Sequence, residues 1–302
     1  MRLKNNKLFV ACFVTPCILV LLGIYLYPVL RTFAMSFYSM SDISTSVGMW
    51  QWKGLSNYSK ILSAADFRIA LLNMVKLTVF GGLYLTVFAI CFGVFLSGKR
   101  NFKGRNFFRT FIYMPNMISA VALGNAFVYY VFNNNDFGMM NKLITIFGSE
   151  PILWMSNHKF ACMTAAIIFC ATGYHMMLYI SGIERIPESL YEAAVIDGAS
   201  NLQQFFGITL PLMKGTIRTS LTFWCIEAVQ MFTWNRVFSP IQAEASTISP
   251  VVYMYESLFG SFVGADWIDA GVAASVGILT AAIIQVLYLV LNKAFGENDL
   301  EY

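Results

Sequence analysis

The chain has 302 residues, of which 58% are hydrophobic and only 12% are charged, and its mean hydropathy is +0.63. Soluble globular proteins carry roughly 25% charged residues, so this composition excludes an ordinary soluble domain and indicates an integral membrane protein. The net charge of +4 is small, and no basic block interleaved with aromatic residues points to nucleic-acid binding.

Six apolar segments are long enough to cross a bilayer, which requires about 20 helical residues. They are predicted at residues 8–30, 71–96, 110–132, 160–183, 219–238 and 268–291. The first segment follows three basic residues, but it is too long for the apolar core of a signal peptide, so we interpret it as a retained anchor. The predicted fold is an all-α membrane protein with six transmembrane helices in a single domain, residues 1–302.

Basic residues are unevenly distributed between the connections. The connection after the second span holds Lys99, Arg100, Lys103, Arg105 and Arg109, and it has no acidic residue. Positive charge favours the cytoplasmic side of a membrane. This connection, both termini and the connection between the fourth and fifth spans are therefore predicted to be cytoplasmic, in a multi-pass protein of the bacterial cytoplasmic membrane.

The sequence has no pattern typical of a disulfide framework, a zinc site or a nucleotide-binding loop. The six cysteines are Cys12, Cys17, Cys91, Cys162, Cys170 and Cys225. All lie in apolar runs and none forms C-x-x-C, so they are typical of small buried hydrophobic residues and not of a disulfide framework or zinc site. No G-x-x-x-x-G-K-[ST] loop is present, so ATP binding in that mode is not expected on this chain.

The cytoplasmic connection at residues 184–214 has the pattern of a folded unit. Pro187 suits the first turn of a helix, where its missing N–H is not needed. Gly198 is expected to end that helix. Ser200 and Gln203 have the spacing of a capping box, which predicts the start of a second helix. The predicted arrangement is a helix, a glycine elbow and a second helix.

This connection resembles the EAA loop of the membrane subunits of binding-protein-dependent ABC importers. The matching EAA, DGA and I-x-L-P submotifs comprise Glu192, Ala193, Ala194, Asp197, Gly198, Ala199, Ile208, Leu210 and Pro211. The resemblance implies that the helix pair docks into a cleft on a cytoplasmic ATPase and that the matched EAA, DGA and L-P residues form the coupling contact. The alternative interpretation is an amphipathic helix that lies at the membrane surface.

Shorter motifs extend the resemblance to the carbohydrate-uptake branch of that family, in particular to the maltose-type first permease subunit. They lie at Gly54-Leu55-Ser56-Asn57-Tyr58, at Phe108-Arg109 with Pro115, and at Gly138 with Asn141. The chain departs from the family at Ile241–Thr247, where many members carry T-x-G-G-P. The departure leaves the geometry of this loop, and its contact with a binding protein, open.

The resemblance also implies an assembly around this chain. It comprises a second homologous permease, two copies of an ATPase subunit, an extracytoplasmic solute-binding protein and a carbohydrate substrate. ATP and Mg would be held by the ATPase, so this chain would have no cofactor of its own and would not be an enzyme.

A stripe of polar and aromatic residues on the fifth predicted span is a candidate substrate pathway. Its members are Phe223, Glu227, Gln230 and Trp234. On one continuous helix this spacing places them on one face. A carboxylate within a span is costly and usually faces a cavity or a partner. The resemblance adds Tyr174 on the fourth span, whereas His175 next to it is interpreted as structural; an interhelical hydrogen bond is the alternative role for the stripe.

Three other functions are alternatives: an importer of another solute, a membrane enzyme and a secondary transporter. An importer of glycerol phosphate, amino acids or peptides is possible within the same family, although a phosphate would call for cationic groups in the pathway. A membrane enzyme would need a nucleophile–base or metal constellation, and no such motif is present in the sequence. A secondary transporter typically has inverted repeats and broken helices at mid-membrane, and the sequence pattern predicts neither.

Overall fold

The computed structural model describes residues 6–98, 103–260 and 268–296 and is mostly helical. The first part contains α1 (Asn6–Val20), a π-helical segment (Leu21–Leu26), α2 (Tyr27–Met35), β1 (Tyr38–Ser39), a 3-10 turn (Val47–Met49), β2 (Gln51–Trp52), α3 (Ser56–Ser63), α4 (Ala65–Lys76), a π-helical segment (Leu77–Gly81) and α5 (Gly82–Leu96). The second part begins with α6 (Arg105–Met117), α7 (Ala120–Ala126), a π-helical segment (Phe127–Val131), α8 (Met139–Ile146), α9 (Trp154–Asn157) and α10 (Lys159–Glu184). It continues with α11 (Glu188–Ile196), α12 (Asn201–Gln204), a π-helical segment (Phe205–Thr209), α13 (Leu210–Leu212), α14 (Lys214–Val229), α15 (Thr233–Phe238), α16 (Pro250–Phe259) and α17 (Ala270–Phe295).

Four helices in the described residues are long and apolar enough to cross a membrane. They are Phe9–Met35, Ala65–Leu96, Lys159–Glu184 and Ala270–Phe295. They correspond to the first, second, fourth and sixth predicted spans, and the first two extend several residues beyond the predicted bounds. A fifth candidate is a bent pair of helices.

The bent pair replaces the uninterrupted helix that was predicted over residues 110–132, so that prediction is wrong in its continuity. Arg105–Met117 and Ala120–Val131 meet at an angle of 98°. Pro115 has no N–H to bond the preceding turn, and its ring crowds the carbonyl four residues earlier, so the helix ends soon after it. Ile118 and Ser119 are extended, and Ser119 then precedes the first residue of α7.

The fifth predicted span is also divided, contrary to the single helix expected over residues 219–238. Helix α14 ends at Val229 and α15 begins at Thr233. The hydroxyl of Ser249 donates to the carbonyl of Met231 at 2.7 Å and so satisfies a backbone group between the two helices. The helical spacing of α14 therefore does not continue into α15.

The chain forms two compact units. The first comprises Met1–Ala64 and Tyr253–Ala281. In this unit β1 pairs antiparallel with β2, with Tyr38 opposite Trp52. The predicted turn glycine, Gly54, has φ +54°. Asn57 does not lie in the turn, because it is the second residue of α3; its buried side-chain amide donates to the carbonyls of Ser36 and Tyr38 at 2.9 and 2.8 Å.

The second unit comprises Ala65–Val252 and Ala282–Tyr302, and it contains the candidate site. One buried cluster surrounds Trp224, whose indole N–H donates to the carbonyl of Thr78 at 3.0 Å. A second cluster surrounds Tyr179 and includes Met213 and Ile217. Because both clusters include residues of α10 and α14, these helices are the frame on which the site is built.

Candidate functional site

Helix α10 packs tightly against α6 through Gly173. A Cβ at this position would lie 2.4 Å from the carbonyl oxygen of Ile112 and 2.6 Å from the Cα of Tyr113. These distances are below any normal contact, so only glycine permits this approach. The close packing sets Tyr113 of α6 beside Tyr174 of α10, and both side chains border the same cavity.

The connection at residues 184–214 contains two short helices, α11 and α12, with Gly198 between them at φ +77°. Pro187 lies one residue before the first helical residue, in the N-cap position, and not within the first turn. The predicted capping box is present: Ser200 Oγ accepts from the Gln203 backbone N–H, and the Ser200 N–H donates to Gln203 Oε1 at 2.7 Å. Gly198, in the left-handed backbone conformation, therefore turns the chain so that Ser200 caps the start of α12.

The residues matched to the EAA and DGA submotifs lie mostly on the surface of this connection. Glu192, Ala193, Asp197, Gly198 and Pro211 are exposed, and Ala194, Ala199 and Leu210 are half-buried. Three large apolar side chains that the motif analysis did not select are also exposed: Val195 at 64%, Ile196 at 86% and Leu202 at 70%. Their position next to the matched residues, in a segment otherwise rich in polar groups, is the sequence signal that would have identified them.

A cavity of about 620 Å³ lies under this surface. Glu188 and Glu192 border it from α11, and Val94 and Ile183 border it from the ends of α5 and α10. Helices α11 and α12 are thus not packed solidly against the ends of α5 and α10.

One hydrogen bond joins α11 to the segment that leads into α14. The hydroxyl groups of Tyr191 and Thr209 are 2.9 Å apart. Burial raises the pKa of the Tyr191 phenol, so this group stays protonated and able to donate. This hydrogen bond therefore ties α11 to the chain just before Pro211.

An ion pair lies at the end of α10, just before the chain enters α11. Arg109 Nη2 is 2.7 Å from Glu184 Oε1, and Nε and Nη2 of Arg109 also donate to the carbonyl of Leu96 at 2.9 and 2.7 Å. The same Glu184 oxygen accepts from the backbone N–H of Gly98 at 3.1 Å. The network connects the ends of α5, α6 and α10, and sequence analysis did not predict it.

The structure brings together four of the five predicted pathway residues. Phe223, Glu227 and Gln230 are all exposed along α14 and the residue that follows it. Tyr174 is half-buried, and its ring centroid lies 6.3 Å from that of Phe223. We call this surface, formed by Tyr174, Phe223, Glu227 and Gln230, the pathway face.

Trp234 does not belong to the pathway face. It is only 6% exposed and packs in the buried cluster with Trp224 and Phe132. The predicted stripe assumed one helix, whereas α14 ends at Val229 and the chain is not helical again until Thr233. Trp234 is thus a core residue.

His175 is buried, and its Nδ1 lies 2.7 Å from Ser220 Oγ on α14. This contact is that of a structural histidine which links two packed helices. Within the described part of the chain, its Nε2 has no hydrogen-bond partner.

The stretch that departs from the T-x-G-G-P pattern is nevertheless held at several points. Glu244 pairs with Lys159 at 2.6 Å. The side-chain amide of Asn73 donates to the carbonyls of Ala245 and Ile248 at 2.9 and 3.0 Å. Contacts with Asn73 of α4 and Lys159 of α10 therefore hold this loop, which lacks the glycines and proline of the family pattern.

Comparison with known proteins places these features in a family. Residues 89–296 match the family model described as binding-protein-dependent transport system inner membrane component. The chain is 28% identical over 287 residues to the arabinooligosaccharides transport system permease protein AraP of Bacillus subtilis (strain 168), covering 94% of this chain and 87% of that protein. It is 27% identical over 285 residues to the trehalose/maltose transport system permease protein MalF of Thermococcus litoralis, covering 93% and 91%.

A solved structure has the same fold. It belongs to a bacterial ABC transporter involved in the import of the acidic polysaccharide alginate, and it superposes with a TM-score of 0.79 at 19% identity, covering 96% of each chain. The likeness shows a shared fold, and the family match covers two thirds of the sequence. The chain belongs to the family of inner membrane components of binding-protein-dependent transport systems, the permease subunits of ABC importers.

Proposed function

We propose that this chain forms half of the substrate pathway of an ATP-driven carbohydrate importer, as one of two homologous permease subunits. In this assembly two ATPase subunits hold ATP and Mg, and an extracytoplasmic binding protein delivers the sugar. The chain spans the bacterial cytoplasmic membrane six times with both termini in the cytoplasm, and it hydrolyses no ATP itself. The observation that carries the proposal is the exposed helix pair α11–α12, with the EAA and DGA submotifs on its surface.

The exposed apolar side chains on this helix pair support docking to another protein. Full burial of a Val, Leu or Ile side chain contributes about 1.5–3 kcal/mol, so Val195, Ile196 and Leu202 together can stabilise a contact substantially. A carboxylate such as Glu192 at the edge of an apolar contact sets its orientation by pairing with a cation. The ATPase subunit is the partner whose motion the helix pair would follow.

The pathway face supports a carbohydrate as the transported solute. The aromatic rings of Tyr174 and Phe223 have apolar faces on which the C–H surface of a sugar packs. Glu227 and Gln230 provide acceptors and donors for sugar hydroxyls. The two relatives described above are named for transport systems of arabinooligosaccharides and of trehalose and maltose.

The alternatives are weaker for physical reasons. Glycerol phosphate would need a cation to pair with its phosphate, and the four residues of the pathway face include one carboxylate and no cation. The two broken helices are compatible with a secondary transporter, so the helix-continuity argument against one, made from the sequence, no longer applies. Family membership argues for the ATP-driven importer instead.

The test is reconstitution. The chain would be co-expressed with candidate second-permease and ATPase subunits from the same genome, purified, and placed in liposomes with the binding protein. We expect the ATPase to co-purify and sugar to stimulate both ATP hydrolysis and uptake. Absence of an associated ATPase would reject the proposal, whereas stimulation only by a phosphate, an amino acid or a peptide would replace the carbohydrate with that solute.

Orientation has a separate test. In a variant without the native cysteines, Ser46→Cys and Lys142→Cys should react with an impermeant thiol reagent in intact cells, and Lys103→Cys should not. All three positions are exposed, so burial does not explain a difference between them. Labelling of Lys103→Cys from outside would overturn the proposed topology.

A further inference from the structure

We propose that a cavity adjoining the pathway face is an inner subsite for one neutral sugar ring, occupied as the sugar leaves toward the cytoplasm; this inference rests on the proposed carbohydrate import. The cavity has a volume of about 370 Å³. It is bordered by Arg109, Thr110, Tyr113, Tyr174, Met177 and Leu178. Small-molecule sites typically have volumes of roughly 300–1,000 Å³, so there is room for a single ring and little more.

The cavity adjoins the pathway face, because Tyr174 belongs to both. Its ring lies 6.3 Å from that of Phe223 on one side, and it borders the cavity on the other. In helical rise, Tyr174 is about 15 Å from the end of α10 at Glu184, since each residue advances a helix by about 1.5 Å. A sugar moving inward from Glu227 and Phe223 would therefore meet Tyr174 before it reaches Arg109.

The two tyrosines provide the contacts that a sugar ring requires. Gly173 brings α6 against α10, so that Tyr113 and Tyr174 border one space. Within residues 6–98, 103–260 and 268–296 neither phenol oxygen forms a hydrogen bond. Each side chain is half-buried. A ring bound here would pack its C–H groups on the aromatic faces and take the free phenols as hydroxyl partners.

Arg109 determines the charge that the subsite accepts. Its guanidinium donates from Nε and Nη2 to the Leu96 carbonyl and to Glu184, whereas Nη1 has no hydrogen-bond partner in the described ranges. Nη1 is therefore available to donate to a ligand. Because the carboxylate of Glu184 lies 2.7 Å from the guanidinium, the ionised pair itself has no net charge. Arg105 is a second cation near Glu184, but it does not border the cavity. Such a donor suits a sugar hydroxyl and offers little net attraction to a uronate or a phosphate.

Glu227 strengthens the same selection at the entrance. Its exposed carboxyl group on the pathway face can hydrogen-bond neutral hydroxyls, and it offers no cation to pair with an anionic sugar. The subsite thus distinguishes this chain from an importer of an acidic polysaccharide, although the fold is shared with one.

The test uses cysteine reporters in the cavity of the complete permease–ATPase complex, purified in detergent so that both sides are accessible. Thr110→Cys, with Met177→Cys as a second reporter, would be placed in a variant in which the native cysteines are replaced. The labelling rate with a small neutral thiol reagent would be measured against the concentration of arabinotriose, maltotriose and trigalacturonate. Ser181→Cys, an exposed position on α10 outside the cavity, is the matched control.

We expect the neutral trisaccharide that stimulates ATP hydrolysis to slow labelling of both reporters in a saturable way. The same sugar should not change the labelling of Ser181→Cys, and trigalacturonate should not protect either reporter. Tyr113→Ala should raise the half-protecting concentration about tenfold and Tyr113→Phe less, because the phenylalanine keeps the ring contact. Unprotected reporters in a complex that still imports the sugar would overturn the subsite and leave the proposed function intact. Protection by trigalacturonate would overturn the neutral class, and stimulation by no sugar would remove the carbohydrate function on which the subsite rests.

Discussion

Arg109 and Glu184 join the start of α6 to the end of α10 through an ion pair of 2.7 Å. Arg109 also holds the last carbonyl of α5, at Leu96, with two donors. Only three residues separate Glu184 from the first residue of α11. The ion pair therefore ties the ends of three helices together close to α11, and we expect it to carry any movement of the helix pair α11–α12 to them.

Reversing one charge of this pair should reduce uptake, and reversing both should restore part of it. Arg109→Glu places two carboxylates together, and Glu184→Arg places two cations together. The variant with both substitutions again has an attractive pair. Interaction energies between such contacting residues are about 0.5–3 kcal/mol. The measurement is a double-mutant cycle on sugar uptake and ATP hydrolysis in liposomes. Strict additivity of the two single effects would show that the pair transmits nothing.

The elbow between α11 and α12 depends on Gly198. At φ +77° an L-amino acid is strained by about 1–3 kcal/mol, although no neighbouring atom lies within 4 Å of a Cβ there. Gly198→Asp should therefore abolish uptake and sugar-stimulated ATP hydrolysis through the backbone, while insertion in the membrane stays normal. Gly207→Ala is the matched control, since that position is also open but has no positive φ. Wild-type uptake and hydrolysis in Gly198→Asp would exclude a coupling role for the elbow.

Ile196 tests the docking surface. Because its side chain is 86% exposed, Ile196→Ser costs the isolated permease little, but it removes apolar area from any contact with the ATPase. We expect less ATPase to co-purify with the variant, and we expect Ile146→Ser, at an equally apolar position that is 76% exposed on α8, to retain it fully. Equal recovery of the ATPase with both variants would place the docking surface elsewhere.

The sequence allowed some of this site to be predicted because its signals are local. The Ser200–Gln203 capping box and the left-handed Gly198 depend on residues within a few positions of each other. The break after Val229 has no such local signal. The free carbonyl of Met231 accepts a hydrogen bond from Ser249, 18 residues further along the chain, so the apolar pattern alone favoured one helix. The Arg109–Glu184 pair spans 75 residues and had no periodic signal at all. Pro115 was a local signal for the bend in the third span that the hydropathy pattern outweighed.

Glu227 and Trp234, which the sequence pattern placed on one stripe, should now differ when replaced by alanine. Glu227 is exposed on the pathway face, so Glu227→Ala should impair sugar uptake while the permease–ATPase complex still assembles and keeps its thermal stability. Trp234 is 6% exposed in the core cluster, and truncating a buried Trp costs about 3–5 kcal/mol.

Trp234→Ala should therefore lower the unfolding temperature and the yield of assembled complex, and uptake per assembled complex should stay close to that of the wild type. The measurements are thermal unfolding, complex yield and uptake normalised to complex. Gln230→Ala serves as a second pathway variant, because Gln230 is exposed next to the break and its loss leaves no cavity. If Trp234→Ala instead assembled normally and lost uptake, the aromatic ring would act on the sugar, and the division between the pathway face and the core would be wrong.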